Sequence, residues 1–106
     1  MIIEFDKEYL QELYEEGKTK SKKHRFQKGV IKQYVNAINK LKNANCIEDL
    51  FPLKSLNYEK LSGNKKALES IKVNDQYRIE FYSRVEGEDP HYITICAITE
   101  LSNHYK

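Results

Sequence analysis

Tryptophan is absent from this chain, methionine occurs once, and only two cysteines, two prolines and four glycines are spread over 106 residues. Each shortage excludes something. Cys46 and Cys96 make no zinc-ligand spacing and are too few for a disulfide framework. The expectation is two free thiols that pack as small hydrophobes in a cytoplasmic protein. No stretch of 18 apolar residues exists, so no membrane-spanning helix is expected. The opening "MIIEFDKEYL" turns acidic at once and lacks a basic n-region and a long apolar core, so no signal peptide is expected either. There is no internal repeat or low-complexity linker, and the length suits a single domain over residues 1–106. HxxxH and CxxC pairs, a glycine-rich phosphate loop and a GxSxG elbow are all missing. His24, His91 and His104 are dispersed, so no metal site and no other cofactor is expected.

Charge is what the chain has in plenty, at 32% of residues, and it is unevenly placed. Residues 1–16 hold six acids against one base, whereas residues 17–46 hold nine bases and no acid. Such asymmetry suggests a basic face able to meet a polyanion. A solvated helix face carrying lysines is the plainer alternative.

The pattern of apolar residues orders the elements. "IIEF" is a short β-prone start, and "DKEYLQELYEEG" is a helix with Asp6 as candidate N-cap and Gly17 as its stop. "KTKSKKHRFQKG" has no periodicity and reads as a loop or a short mobile helix. Val30, Tyr34, Ala37, Ile38 and Leu41 recur at helical spacing and predict a second helix. Pro52 bars helix continuation, Gly63-Asn64 marks a turn, and "SIKVNDQYRIEF" reads as a hairpin turning at Asn74-Asp75. Strand 77–84 then gives way to a polar loop with Gly87 and Pro90, and "YITICAIT" (92–99) reads as a strand covered on both faces. One strand, two helices and then several tightly connected strands indicate an α+β fold, its helices packed on one face of a largely antiparallel twisted sheet.

Period-two alternation sets Ile79 and Phe81 on one face, and Lys72, Arg78, Glu80 and Tyr82 on the other. If the helices cover the first set, the open face carries cations, a carboxylate and a phenol. Such a set suits metal-free RNA cleavage, because the 2′-hydroxyl can attack its own 3′-phosphodiester. The protein then supplies cations for the phosphorane and groups that move two protons. Arginine suits the first role, being planar, always charged and bidentate to phosphate.

The stretch "LSGNKKALESIKVNDQYRIEF" (61–81) resembles the central motif of HigB-type toxins in the RelE/ParE superfamily, through Leu61, Gly63, Asn64, Lys65, Ser70, Ile71, Lys72, Val73, Asn74, Tyr77, Arg78, Ile79 and Phe81. The resemblance implies a RelE/ParE-like fold and a ribosome-dependent endoribonuclease that cuts mRNA without a cofactor. It also implies neutralisation by a helix-turn-helix antitoxin of the HigA kind. Arg78 falls on the family's catalytic arginine. Ser62 replaces the usual lysine, which leaves Lys60, Lys65 or Lys66 to supply that charge. Tyr58-Glu59 stands near the family's upstream histidine, so Glu59 is the candidate base there. Glu69 replaces an aromatic, and the usual Tyr-His ending is reversed as His104-Tyr105, either of which is a candidate acid or base. Lys72, Tyr82 and the basic Lys22, Lys23 and Arg25 are candidate RNA contacts. Against each stands a bland reading: a surface charge, a fraying tail, a rim tyrosine. Two other functions fit the superfamily. One is a ParE-like protein that poisons gyrase by binding; the other is a degenerate toxin that only binds its antitoxin.

Overall fold

The computed structural model describes residues 1–63 and 67–103. These form β1 (Ile2–Phe5), α1 (Glu8–Glu16), α2 (Lys28–Asn43), β2 (Glu59–Lys60), β3 (Glu69–Lys72), β4 (Tyr77–Glu88) and β5 (His91–Asn103). Short 3-10 turns lie at Lys22–His24, Ile47–Leu50 and Lys54–Leu56. The sheet runs β1-β5-β4-β3-β2; β1 is parallel to β5 and every other pair is antiparallel. The α+β expectation is met, and the segment 17–28 holds one 3-10 turn inside its loop.

Apolar spacing decides what each helix buries. Tyr9, Leu10 and Leu13 of α1 and Tyr34, Ala37, Ile38 and Leu41 of α2 pack against Ile71, Ile79, Phe81, Cys96, Ile98 and Leu101 of the sheet. The Tyr34 hydroxyl, fully buried, donates to the Leu10 carbonyl at 2.7 Å and ties the helices together. Burial pushes the Cys96 thiol up to about 11, so it is an inert packing group. Helix α1 stops at Gly17, which takes φ of 73° and donates its N–H to the Leu13 carbonyl. Its N-cap is Lys7 and not Asp6. The reason is that the Asp6 N–H is still engaged with the sheet, donating to the Ile98 carbonyl at 2.9 Å.

The last hairpin is longer than expected. Strand β4 runs to Glu88, not 84, and β5 spans His91–Asn103, with only Asp89-Pro90 between them. Gly87 permits this closure: its φ is 106°, and a Cβ there would lie 2.2 Å from the His91 carbonyl oxygen. Pairing with β3 stops at Phe81 and pairing with β1 begins at Ile95. The outer part of the hairpin is therefore a two-stranded ribbon, on which Val85, Tyr92 and Ile93 are exposed. Nearer the core, Glu80 opposes Glu100 and Phe81 opposes Ile98, which leaves Thr99 as the extra residue of a β-bulge. Its hydroxyl donates to the Glu80 carbonyl.

Strand β1 ends at the Phe5–Ile98 pair, and beyond it the edge of β5 would be bare. Tyr9 occupies that position. Its oxygen accepts the Leu101 N–H at 3.2 Å, and its hydroxyl donates to Glu100, whose other carboxylate oxygen meets Lys7 Nζ at 3.1 Å. Partial burial alone raises the Glu100 pKa, but the Tyr9 hydroxyl and the Lys7 ammonium outweigh it and hold the carboxyl below its ordinary value. No helix among the described residues is long and apolar enough to cross a membrane.

Two stability outcomes are expected. Phe81→Ala should cost ~3–5 kcal/mol in urea denaturation, whereas Tyr34→Phe, which loses one hydrogen bond, should cost about 1 kcal/mol. The depressed Glu100 carboxyl contributes stability that is complete above the unfolded glutamate pKa of about 4.3 and is lost as pH falls through the lower folded value. Acid titration of Glu100→Gln should accordingly show a shallower loss below that pH than the wild type; parallel acid limbs would contradict it.

Candidate active site

Burial of Ile71, Ile79 and Phe81 under the helices settles which side chains face the other way. Cross-strand partners share a face, so two rows stand on the opposite side. Glu59, Ser70, Glu80 and Glu100 make one, and Lys72, Arg78 and Ser102 make the other. A concavity lies across β2, β3 and β4 where these rows meet, lined by Asn57, Glu59, Ser70, Lys72, Asn74, Asp75, Tyr77 and Arg78. It brings a carboxylate and two cations from three strands to one hollow.

Arg78 is not the freely exposed cation that alternation suggests. Its guanidinium folds along its own strand and sets Nε at 3.1 Å and Nη2 at 3.0 Å from one oxygen of Glu80. The side chains are only 18% and 5% exposed. Glu80 is thus a correction: it belongs to the open face by parity but is buried, because Arg78 two residues earlier lies over it. The pair uses the side edge of the guanidinium. Nη1 and the second N–H of Nη2 remain for another acceptor.

The turn that presents these residues is built by Asn74. Its Oδ1 accepts the N–H groups of Gln76 and Tyr77, each at 2.8 Å, and its Nδ2 donates to Gln33 Oε1 on α2 at 2.8 Å. Lys72 pairs across the turn with Asp75 at 2.9 Å, and the Asp75 carboxyl is held below its ordinary value by that hydrogen bond and charge. Asp75 is almost fully exposed, so this pair opens easily.

Of the candidates from the sequence, Arg78, Glu59 and Lys72 line the hollow. Lys60 is exposed on β2 and lines a neighbouring groove with Tyr58 and Glu69, while Tyr82 is exposed on the open face two residues beyond Glu80. Lys22, Lys23 and Arg25 are exposed and do not reach the hollow, but their segment is anchored beside it. Phe26 sits edge-on to Tyr77 at 5.4 Å, and His24 stacks on Tyr9 at 3.6 Å. Lys65, Lys66, His104 and Tyr105, and the Asn64 half of the expected turn, lie outside the described residues. Asn103, the last described residue, pairs with Tyr77 beside Arg78.

Sequence reasoning missed Glu80 as a partner of Arg78, and Tyr9 and Glu100 as the closure of the β5 edge. It also gave no role to Glu69. This carboxylate is buried on the helix side, accepts the Tyr58 hydroxyl, and takes both the N–H (2.9 Å) and the hydroxyl of Ser83, so that it caps the β4 edge where β3 ends. The available signal was the substitution of a carboxylate for an expected aromatic in an apolar run.

The fold is similar to that of a YoeB/ParE toxin from Agrobacterium tumefaciens. The TM-score is 0.53 at 16% identity, over 99% of this chain and 100% of that one. No curated protein sequence matches. A family model for HigB-like toxin, described as the RelE-like toxin of type II toxin-antitoxin system HigB, matches residues 3–93. That match includes the whole of the hollow and ends before the C-terminal residues. The chain belongs to this family of RelE-like toxins, and membership implies an antitoxin as its partner.

Proposed function

We propose that this toxin is a ribosome-dependent endoribonuclease that cuts mRNA and so arrests translation, with neither a metal nor another cofactor in the reaction. Its antitoxin is of the helix-turn-helix, HigA-like kind, and it acts in the cytoplasm. The observation that carries the reading is the meeting of Glu59, Lys72 and Arg78 in one hollow on the open face.

The chemistry follows from that set. The 2′-hydroxyl of the RNA attacks the adjacent phosphorus as Glu59 takes its proton, and the bond to the 5′-oxygen breaks. Arg78 donates to the phosphorane oxygens through its free guanidinium edge, and Lys72 adds a second charge once released from Asp75. The departing 5′-oxygen takes a proton from His104 or Tyr105, which follow directly after the strand end paired beside Arg78. The products are a 2′,3′-cyclic phosphate and a 5′-hydroxyl. Lys60, Lys65 and Lys66 add phosphate contacts, Tyr82 a stacking surface, and Lys22, Lys23 and Arg25 salt-dependent contacts with ribosomal RNA.

Arg78→Ala removes the cation paired with the buried Glu80 and is expected to destabilise the fold as well as abolish activity, so Arg78→Lys is the cleaner variant. It should keep most of the stability and lose about 10²-fold or more of the cleavage rate, because an ammonium cannot present a planar pair of donors. The measurement is primer-extension mapping of transcripts after induction, alongside thermal melts. Wild-type cleavage in this variant would sink the mechanism. Uncut transcripts and a DNA damage response with the unaltered chain would point instead to gyrase. Glu59→Gln should slow cleavage by about 10²–10⁴-fold with little change in RNA affinity.

A further inference from the structure

Glu80 has no place in the chemistry above, yet it is the group most closely engaged with Arg78. A carboxylate beside a cation that must bind phosphate looks counterproductive, since it competes for the same charge. The geometry resolves this. Its two contacts with Arg78 fall on the side edge of the guanidinium, through Nε and Nη2 to a single oxygen. A carboxylate there leaves the end-on pair of donors free and stops rotation about the last side-chain bonds. With side chains 18% and 5% exposed, neither partner is free to swing into water. Glu80 is itself fixed, since its strand is paired on both sides, to Ser70 and to Glu100.

We propose that Glu80 is a positioning residue, which holds the Arg78 guanidinium so that its end-on edge meets the scissile phosphate. This rests on the reading of Arg78 as the phosphate-stabilising cation. Among the described residues, both cations that line the hollow, Lys72 and Arg78, have a carboxylate partner, which weakens any attraction of phosphate by their charge alone. Rate must then come from the direction of the donors. Misplacing a reacting contact by about 1 Å can cost about 10²-fold, which is the size of effect expected from loss of the clamp.

Two substitutions separate position from charge. Glu80→Gln keeps the acceptor oxygen at the same reach and removes the charge. Glu80→Asp keeps the charge and withdraws it by one methylene. The assay is steady-state cleavage of a defined mRNA on programmed ribosomes, with the purified toxin, thermal melts of each variant and Arg78→Lys as reference. If Glu80 positions Arg78, Gln should retain a kcat within about fivefold of wild type, with KM unchanged or lower. Asp should lose about 10²-fold in kcat at unchanged KM. The reverse order, Asp active and Gln inactive, would assign Glu80 an electrostatic role and overturn the proposal. Equal, near-wild-type rates for both would overturn it too. If Arg78→Lys also cleaves normally, the parent reading fails; if Arg78→Lys is slow while both Glu80 variants are fast, only the clamp fails.

Discussion

The alternation of β3 and β4 is the constraint on which the site depends. Ile71 and Ile79 oppose each other, Phe81 follows, and all three are fully buried under the two helices. A slip of one residue in either strand would turn these side chains to the open face and bury Lys72 and Arg78 in their place. The cost of that exchange, several large apolar side chains exposed and two cations desolvated, fixes the register without help from the site residues. The candidate side chains on the open face are thus not needed to set the register, because packing on the other face holds the sheet.

The opposite edge of the site has a different cause. On this edge strand β5 is paired with β1 along its middle and, among the described residues, with no strand beyond Ile98, and the bulge at Thr99 falls at that change. Tyr9 takes over where β1 stops, and in doing so it connects the start of α1 to Glu100, the cross-strand partner of Glu80. His24 stacks on the same tyrosine, so the basic segment is docked at the end of the sheet where Arg78 lies. A single phenol therefore satisfies an edge N–H, orients a carboxylate and anchors a cationic loop. Its own proton is held tightly: burial first, and then the Glu100 hydrogen bond, raise its pKa well above the ordinary tyrosine value.

The fold class, the two helices and the face occupied by Arg78 were legible from periodicity, since each depends on spacing that a sequence displays directly. Arg78's own environment was not. Whether a guanidinium reaches into solvent or folds back over Glu80 depends on side-chain torsions and on the depth of the face, and alternation carries neither. The N-terminus of α1 was missed by one residue because Asp6 looks like a cap but still serves the β1 ladder. The long hairpin was cut short because Glu86, Gly87, Glu88 and Asp89 have the composition of a loop. Their conformation is set by Gly87 at the hairpin's close and by pairing with β5, which is a property of the partner strand. Glu69 illustrates the general case, where a polar residue in an apolar run was a satisfied cap for Ser83 and Tyr58.

The pairing of cations at the site bears on what kind of phosphate recognition this surface allows. A trough of unpaired lysines binds any polyanion, with affinity that falls steeply with salt. Here the described cations of the hollow are already matched, Lys72 by an exposed carboxylate and Arg78 by a buried one. The exposed pair costs little to open, whereas the buried pair is costly to break. On the proposed function, phosphate would be met by the guanidinium edge that Glu80 leaves unused, which would make the contact directional and weak until the RNA is held in place by something else. The exposed Lys22, Lys23 and Arg25, docked beside the hollow and outside it, are suited to supply that hold. An endonuclease built this way would be slow on free RNA and fast only where a larger assembly presents the strand, which agrees with the ribosome dependence proposed for it.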